Sequence, residues 1–135
     1  MAEPSVAEIL LAAACRDEQA FRALAALPDM NDTVIGFHAH QSVEKALKAV
    51  LAHTGVAFRR THNVGELLDL LRDARIPLPV AAEHLDELDP YAVEARYGLV
   101  EPGALNRSAA TAMVTTTIAW AQDRLSKPSE PAERQ

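Results

Sequence analysis

The chain has 135 residues, of which 49% are hydrophobic, 24% charged and 4% aromatic, and its formal charge is -6. That length and balance fit one globular domain around one core, and exclude multidomain, fibrous and wholly disordered readings. The negative charge disfavours indiscriminate binding to a phosphate backbone, and a single cysteine, Cys15, excludes an intramolecular disulfide and a cysteine-rich zinc cluster. No apolar run reaches the roughly 18 residues that span a bilayer, and Glu3 stands where a signal peptide would be basic, so the expected location is cytoplasmic, away from membranes.

Few aromatics and five glycines amid abundant alanine and leucine favour helices over strands. Ser5-Val-Ala-Glu8 has the spacing of a capping box and predicts a first helix, which Pro28-Asp29 should end. Asn31 or Asp32 can cap a second helix running to about His53, with Gly55 as its terminator. On a helical wheel Ile35, Ala39, Val43, Ala46, Leu47 and Val50 share one side, while His38, Gln41, Glu44, Lys45 and Lys48 share the other, expected to be solvated. Asn63-Val-Gly-Glu66 predicts a further capping box, opening a short third helix with Val64, Leu67, Leu68, Leu70 and Leu71 inward, before Pro77 and Pro79 break it.

Val80 to Tyr97 reads as two short helices or one kinked at Asp89-Pro90. After a loop over Gly98 to Gly103, Asn106 or Ser108 caps a last helix through Met113, Ile118, Trp120 and Leu125. Thr115, Thr116 and Thr117 weaken that helix, so packing must hold it. Residues 127–135 read as a flexible tail beyond a single domain over 1–126. The expected architecture is all-α, an up-and-down antiparallel four-helix bundle with an additional short helix.

The candidate ligand residues are His38, Gln41, Lys45 and Lys48 on the second helix, His62 in the loop after it, and Arg96 with Tyr97. Glu44 and Lys48 can pair at i, i+4, and an exposed pair of that kind adds only about 0.3–0.5 kcal/mol. His38 and His40 point about 200° apart on a helix and cannot share a metal, so no metal site is expected. Arg59-Arg60-Thr61-His62 places cations beside a helix N-terminus, where a phosphate could sit, or where they merely offset nearby acids. From Ile76 to Ala95 every full charge is acidic. Arg96 can grip a phosphate while Tyr97 stacks or donates a hydroxyl, or the two can serve packing and charge balance alone. Cys15, among Ala12, Ala13 and Ala14, reads as a buried small residue rather than a thiolate. No catalytic residue and no cofactor is assigned.

Three segments, Phe37-His-Ala-His-Gln41-Ser-Val-Glu44-Lys45-Ala-Leu-Lys48-Ala, Thr61-His62-Asn63-Val-Gly-Glu-Leu67-Leu68 and Tyr91-Ala-Val-Glu-Ala-Arg96-Tyr97, occur in an order and at separations that resemble the HEPN domain. The name stands for higher eukaryotes and prokaryotes nucleotide-binding, and the likeness covers roughly Val6 to Leu125. It implies a helical bundle that forms a homodimer, binds a nucleotide or nucleic acid, and often pairs with a minimal nucleotidyltransferase in a toxin–antitoxin-like couple.

Many members are metal-independent ribonucleases built on an arginine followed a few residues later by a histidine. Here His84 is the last histidine, so nothing after Arg96 completes that motif. The resemblance therefore points to binding through a cleft lined by Arg96, Tyr97 and the polar residues of the second helix. The alternatives are an endoribonuclease toxin with a nonstandard acid–base group, from His62, His38 or Tyr97, and a purely structural interaction module.

Overall fold

The computed structural model describes residues 3–92 and 104–128, and Arg96 and Tyr97 lie outside them. The described residues form helices α1 (Val6–Ala25), α2 (Asp32–Thr54), α3 (Val64–Asp73), a 3-10 helix (Ala82–Tyr91) and α4 (Arg107–Leu125), with no strand among them. The all-helical class stands. Helices α1, α2 and α4 are long, and α3, at 10 residues, is the short third helix expected before Pro77 and Pro79.

Local chemistry sets most boundaries. The Ser5 hydroxyl accepts from the Glu8 amide at 3.1 Å, and the Glu8 carboxylate accepts from the Ser5 amide at 3.0 Å, completing the first capping box. Asn31 caps α2 by accepting from the Thr33 amide, and Gly55 closes it at φ 82°, a left-handed conformation that glycine adopts without strain. Asn106 accepts from the Ala109 amide to start α4. The box at Asn63 is only half formed. Its side chain accepts from the Glu66 amide, but the Glu66 carboxylate turns to Arg59, and the Asn63 amide donates to the Thr61 hydroxyl instead.

As far as Ala92, the segment after Pro79 differs in helix type from the expected two short helices or one kinked helix. It is one 3-10 helix with Pro90 inside it. Its buried residues are Ala82, Leu85, Leu88 and Tyr91, spaced by three, and only a helix with three residues per turn keeps them in one row.

Helix α2 is the axis of the molecule. It packs most extensively on α1, then on α4, the 3-10 helix and α3. Thirteen of its 23 residues are buried, so it has no solvated half, and Ala39, Ala46 and Ala49 allow neighbours to approach closely. Of the face expected to be solvated, Gln41 and Glu44 are buried, as are the neighbouring His40 and Ser42, and His38, Lys45 and Lys48 are half-buried.

Helix α1 runs antiparallel to α2, with the Ser42 hydroxyl donating to the Ala14 carbonyl, and antiparallel to α4, with Arg22 reaching Thr115. Helices α2 and α4 run parallel: Arg107 at the start of α4 meets Asp32 at the start of α2, and His53 near the end of α2 meets the Lys127 carbonyl just past α4. The threonine run of α4 is held by packing, since Thr117 and Ile118 are buried and Trp120 donates to the Pro77 carbonyl.

Candidate functional site: a buried carboxylate shared by lysine and histidine

His40, Glu44 and Lys48 recur at i, i+4 and i+8, and so form one stripe along α2. Glu44 sits in its middle, only 3% exposed. One carboxylate oxygen accepts from Lys48 Nζ at 2.9 Å, and the other accepts from His62 Nδ1 at 2.9 Å. A buried carboxylate is costly to leave uncompensated, so two donors converge on it. Lys48 also lies 5.8 Å from the centre of the Phe58 ring, within cation–π range.

His62 reaches this carboxylate from the turn before α3. The buried Thr61, whose hydroxyl accepts from the Asn63 amide, fixes that turn. Because Glu44 accepts at Nδ1, that nitrogen carries the proton in a neutral ring, and Nε2 remains as the acceptor. The His62 side chain is 59% exposed, so this nitrogen is accessible to a ligand.

Behind Glu44 lies a second, deeper pair. His40 is fully buried, and its Nε2 stands 3.0 Å from Asp89 Oδ1. The same oxygen accepts from the Val64 amide at 3.0 Å, so Asp89 of the 3-10 helix holds both α2 and the first turn of α3. His40 Nδ1 is buried with no hydrogen-bond partner, and Glu44 Oε1 lies 3.7 Å away, too far for a bond.

The remaining expected residues separate from this cluster. His38 and Lys45 turn to α1, where Asp17 accepts from Lys45 Nζ at 2.6 Å and lies 3.3 Å from His38 Nδ1. Gln41 is buried. Arg59 is engaged by both oxygens of Glu66, at 2.8 and 2.6 Å, in keeping with the charge-offsetting alternative for that residue. Cys15 keeps its proton more tightly than a free thiol because burial penalises the thiolate and Glu18 adds negative charge, in line with a packing role.

The structure thus unites Lys48 and His62 and sets His38 and Lys45 apart from them. Sequence reasoning missed Glu44 as the hub, and His40 and Asp89 behind it. The i, i+4, i+8 spacing of His40, Glu44 and Lys48 was the available signal. Among the described residues no group of three or more His, Cys, Asp or Glu side chains is arranged to hold a metal ion, and no helix is long and apolar enough to cross a membrane. A concavity of about 470 Å³ lies elsewhere, walled chiefly by Leu88, Pro90, Tyr91, Leu105 and Met113, and includes none of the expected ligand residues described.

With this geometry in view, the model of one family, the HEPN domain, matches residues 7–119, from the first turn of α1 into the last turns of α4. The chain belongs to the HEPN domain family. No curated protein and no solved structure matches it. In this HEPN chain the three segments that carry the resemblance divide. The first two converge on Glu44 through Lys48 and His62. The third begins at Tyr91, packed on α2, and continues beyond the described residues.

Proposed function

We propose that this HEPN protein is a homodimeric binding protein that takes a phosphate-bearing ligand, a nucleotide or nucleic acid, at the rim formed by Lys48 and His62. One observation supports this reading above the others: two groups able to carry positive charge share one buried carboxylate, and His62 faces outward. A phosphate can exchange places with that carboxylate as their partner, because a charge-assisted bond to phosphate is comparable in kind to the one it replaces.

In this reading Arg96 and Tyr97 extend the ligand set, His38 and Lys45 join it only by leaving Asp17 and Gln41 only by leaving its buried position, and an up-and-down bundle is the scaffold. A minimal nucleotidyltransferase is the proposed protein partner, in a toxin–antitoxin-like pair.

The test is a titration of labelled ATP, GTP and a short RNA against wild type, Lys48→Ala, His62→Ala and Arg96→Ala. Each variant should bind roughly tenfold or more weakly, the equivalent of about 1.4 kcal/mol. Flat curves for wild type would remove the ligand, and light scattering that gives a monomer would remove the dimer.

A second reading, a metal-independent endoribonuclease, draws on one specific contact. A carboxylate on Nδ1 holds His62 in the tautomer whose Nε2 can accept a proton from an attacking hydroxyl. Purified protein should then shorten RNA in EDTA, and His62→Ala should not. Intact RNA with wild type eliminates this reading while leaving the first in place.

A further inference from the structure

The buried His40 ring has no part in the reading above, yet its orphan nitrogen faces the carboxylate on which that reading depends. We infer that anion binding at Lys48 and His62 is coupled to the uptake of one proton by His40. The inference rests on the anion-binding reading and specifies how that site is regulated.

Glu44 is buried, and its charge is offset by Lys48 and His62. An anion that recruits Lys48, and His62 once its Nε2 carries a proton, draws the offset outward and leaves a desolvated carboxylate behind. Such a group must regain a positive neighbour or a proton. The nearest group able to respond is His40, whose Nδ1 lies 3.7 Å from Glu44 Oε1 and bonds to nothing. Its other nitrogen is already fixed on Asp89, a second carboxylate.

Taking one proton from solvent at Nδ1 turns the ring into a donor at both ends. A side-chain shift of less than 1 Å then brings Nδ1 into hydrogen-bond range of Glu44. The balance at His40 is one proton entering at Nδ1 with the anion, in addition to any proton His62 takes at Nε2 to donate to that anion; no bond of the chain breaks, and the His40 imidazolium replaces the charge withdrawn from Glu44. Among the described residues, the groups facing His40 are Glu44 and, beyond it, Lys48 from α2, His62 from the turn before α3, Asp89 from the 3-10 helix, and the Val64 amide shared through Asp89. Asp17 of α1 is committed to His38 and Lys45 instead.

The probe is inorganic sulfate, a dianion that carries no proton near neutrality, so every proton taken up belongs to the protein. Binding is followed by chemical shift from about pH 6 to 8, the range in which imidazoles ordinarily titrate. Because His62 can itself take up a proton on meeting an anion, the decisive protein is His62→Gln. It should bind more weakly than wild type yet still lose affinity by about tenfold per pH unit, as linkage of one proton requires. His40→Gln should bind with a shallower slope than wild type. If that buried substitution fails to fold, nitrogen-15 imidazole spectra of wild type decide the matter, since sulfate should move His40 Nδ1 from the unprotonated to the protonated position. A flat slope in His62→Gln, or an unmoved His40 Nδ1 in the liganded protein, would overturn the inference while leaving the anion site intact. Absence of sulfate binding to wild type at every pH would remove the site and the inference together.

Discussion

A Cβ placed on Gly36 would overlap the ring of Tyr91, which packs against α2 at that point. Glycine in a helix costs about 1 kcal/mol relative to alanine, so Gly36→Ala should stabilise α2 in isolation. In the folded protein the overlap dominates, because overpacking a filled site costs typically 1–3 kcal/mol. Gly36→Ala should therefore lower the urea midpoint, by a net loss of about 1 kcal/mol, and Tyr91→Ala in the same chain should recover the helix gain. Burial holds the Tyr91 phenol above its usual range, with Asp32 adding to the effect. His84 is the opposite case, exposed on the 3-10 helix. A hydrogen bond to Glu87 raises its pKa first, then the charges of Glu87, Glu83 and Asp86. A histidine raised in the folded state stabilises the protein below its unfolded value of about 6.5 and loses that contribution as pH rises through the folded value. Glu87→Gln should move the His84 titration midpoint downward in an NMR titration, and an unchanged midpoint would refute the assigned cause.

At the scale of elements, the turn between α1 and α2 is held from a distance. Arg107, at the start of α4, donates to the carbonyls of Ala25, Leu27 and Met30 and reaches Asp32 Oδ1 at 3.3 Å. One guanidinium thus satisfies the carbonyls left over where α1 ends. Arg107→Leu should cost about 2–3 kcal/mol in denaturant unfolding, since these bonds involve a charged donor and their acceptors are partly buried. A loss below about 0.5 kcal/mol would mean that water replaces the guanidinium at no penalty. Nothing in the sequence singles out this residue, because its partners lie some 80 positions earlier. The caps at Ser5, Asn31, Asn63 and Asn106 were legible because their donors lie within three residues. The period of three in Ala82, Leu85, Leu88 and Tyr91 was also present in the sequence, but over so short a stretch it resembles an α-helical face.

For the molecule as a whole, the class and order of helices follow from composition and punctuation, but which side of α2 meets solvent does not. A wheel separates polar from apolar residues without saying what covers either side. Four neighbouring elements surround α2, so Glu44 and His40 lie inside despite sharing a helix with Lys45 and Lys48. The site was legible as a list of polar residues and illegible as a network, because its members come from α2, the turn before α3 and the 3-10 helix. The parallel course of α2 and α4 carries its own electrostatic cost. Two rows of backbone carbonyls end side by side, each equivalent to about half a negative elementary charge. Arg124 gathers there with His53 and Lys127 around a notch of about 340 Å³, and since Lys127 is paired with Asp123, Arg124 serves as built-in counter-charge for two macrodipoles. Arg124→Glu should lower stability by about 0.5–1 kcal/mol at low ionic strength, and the deficit should shrink as added salt shortens the Debye length from about 10 Å toward 3 Å. A deficit indifferent to salt would assign Arg124 to packing alone.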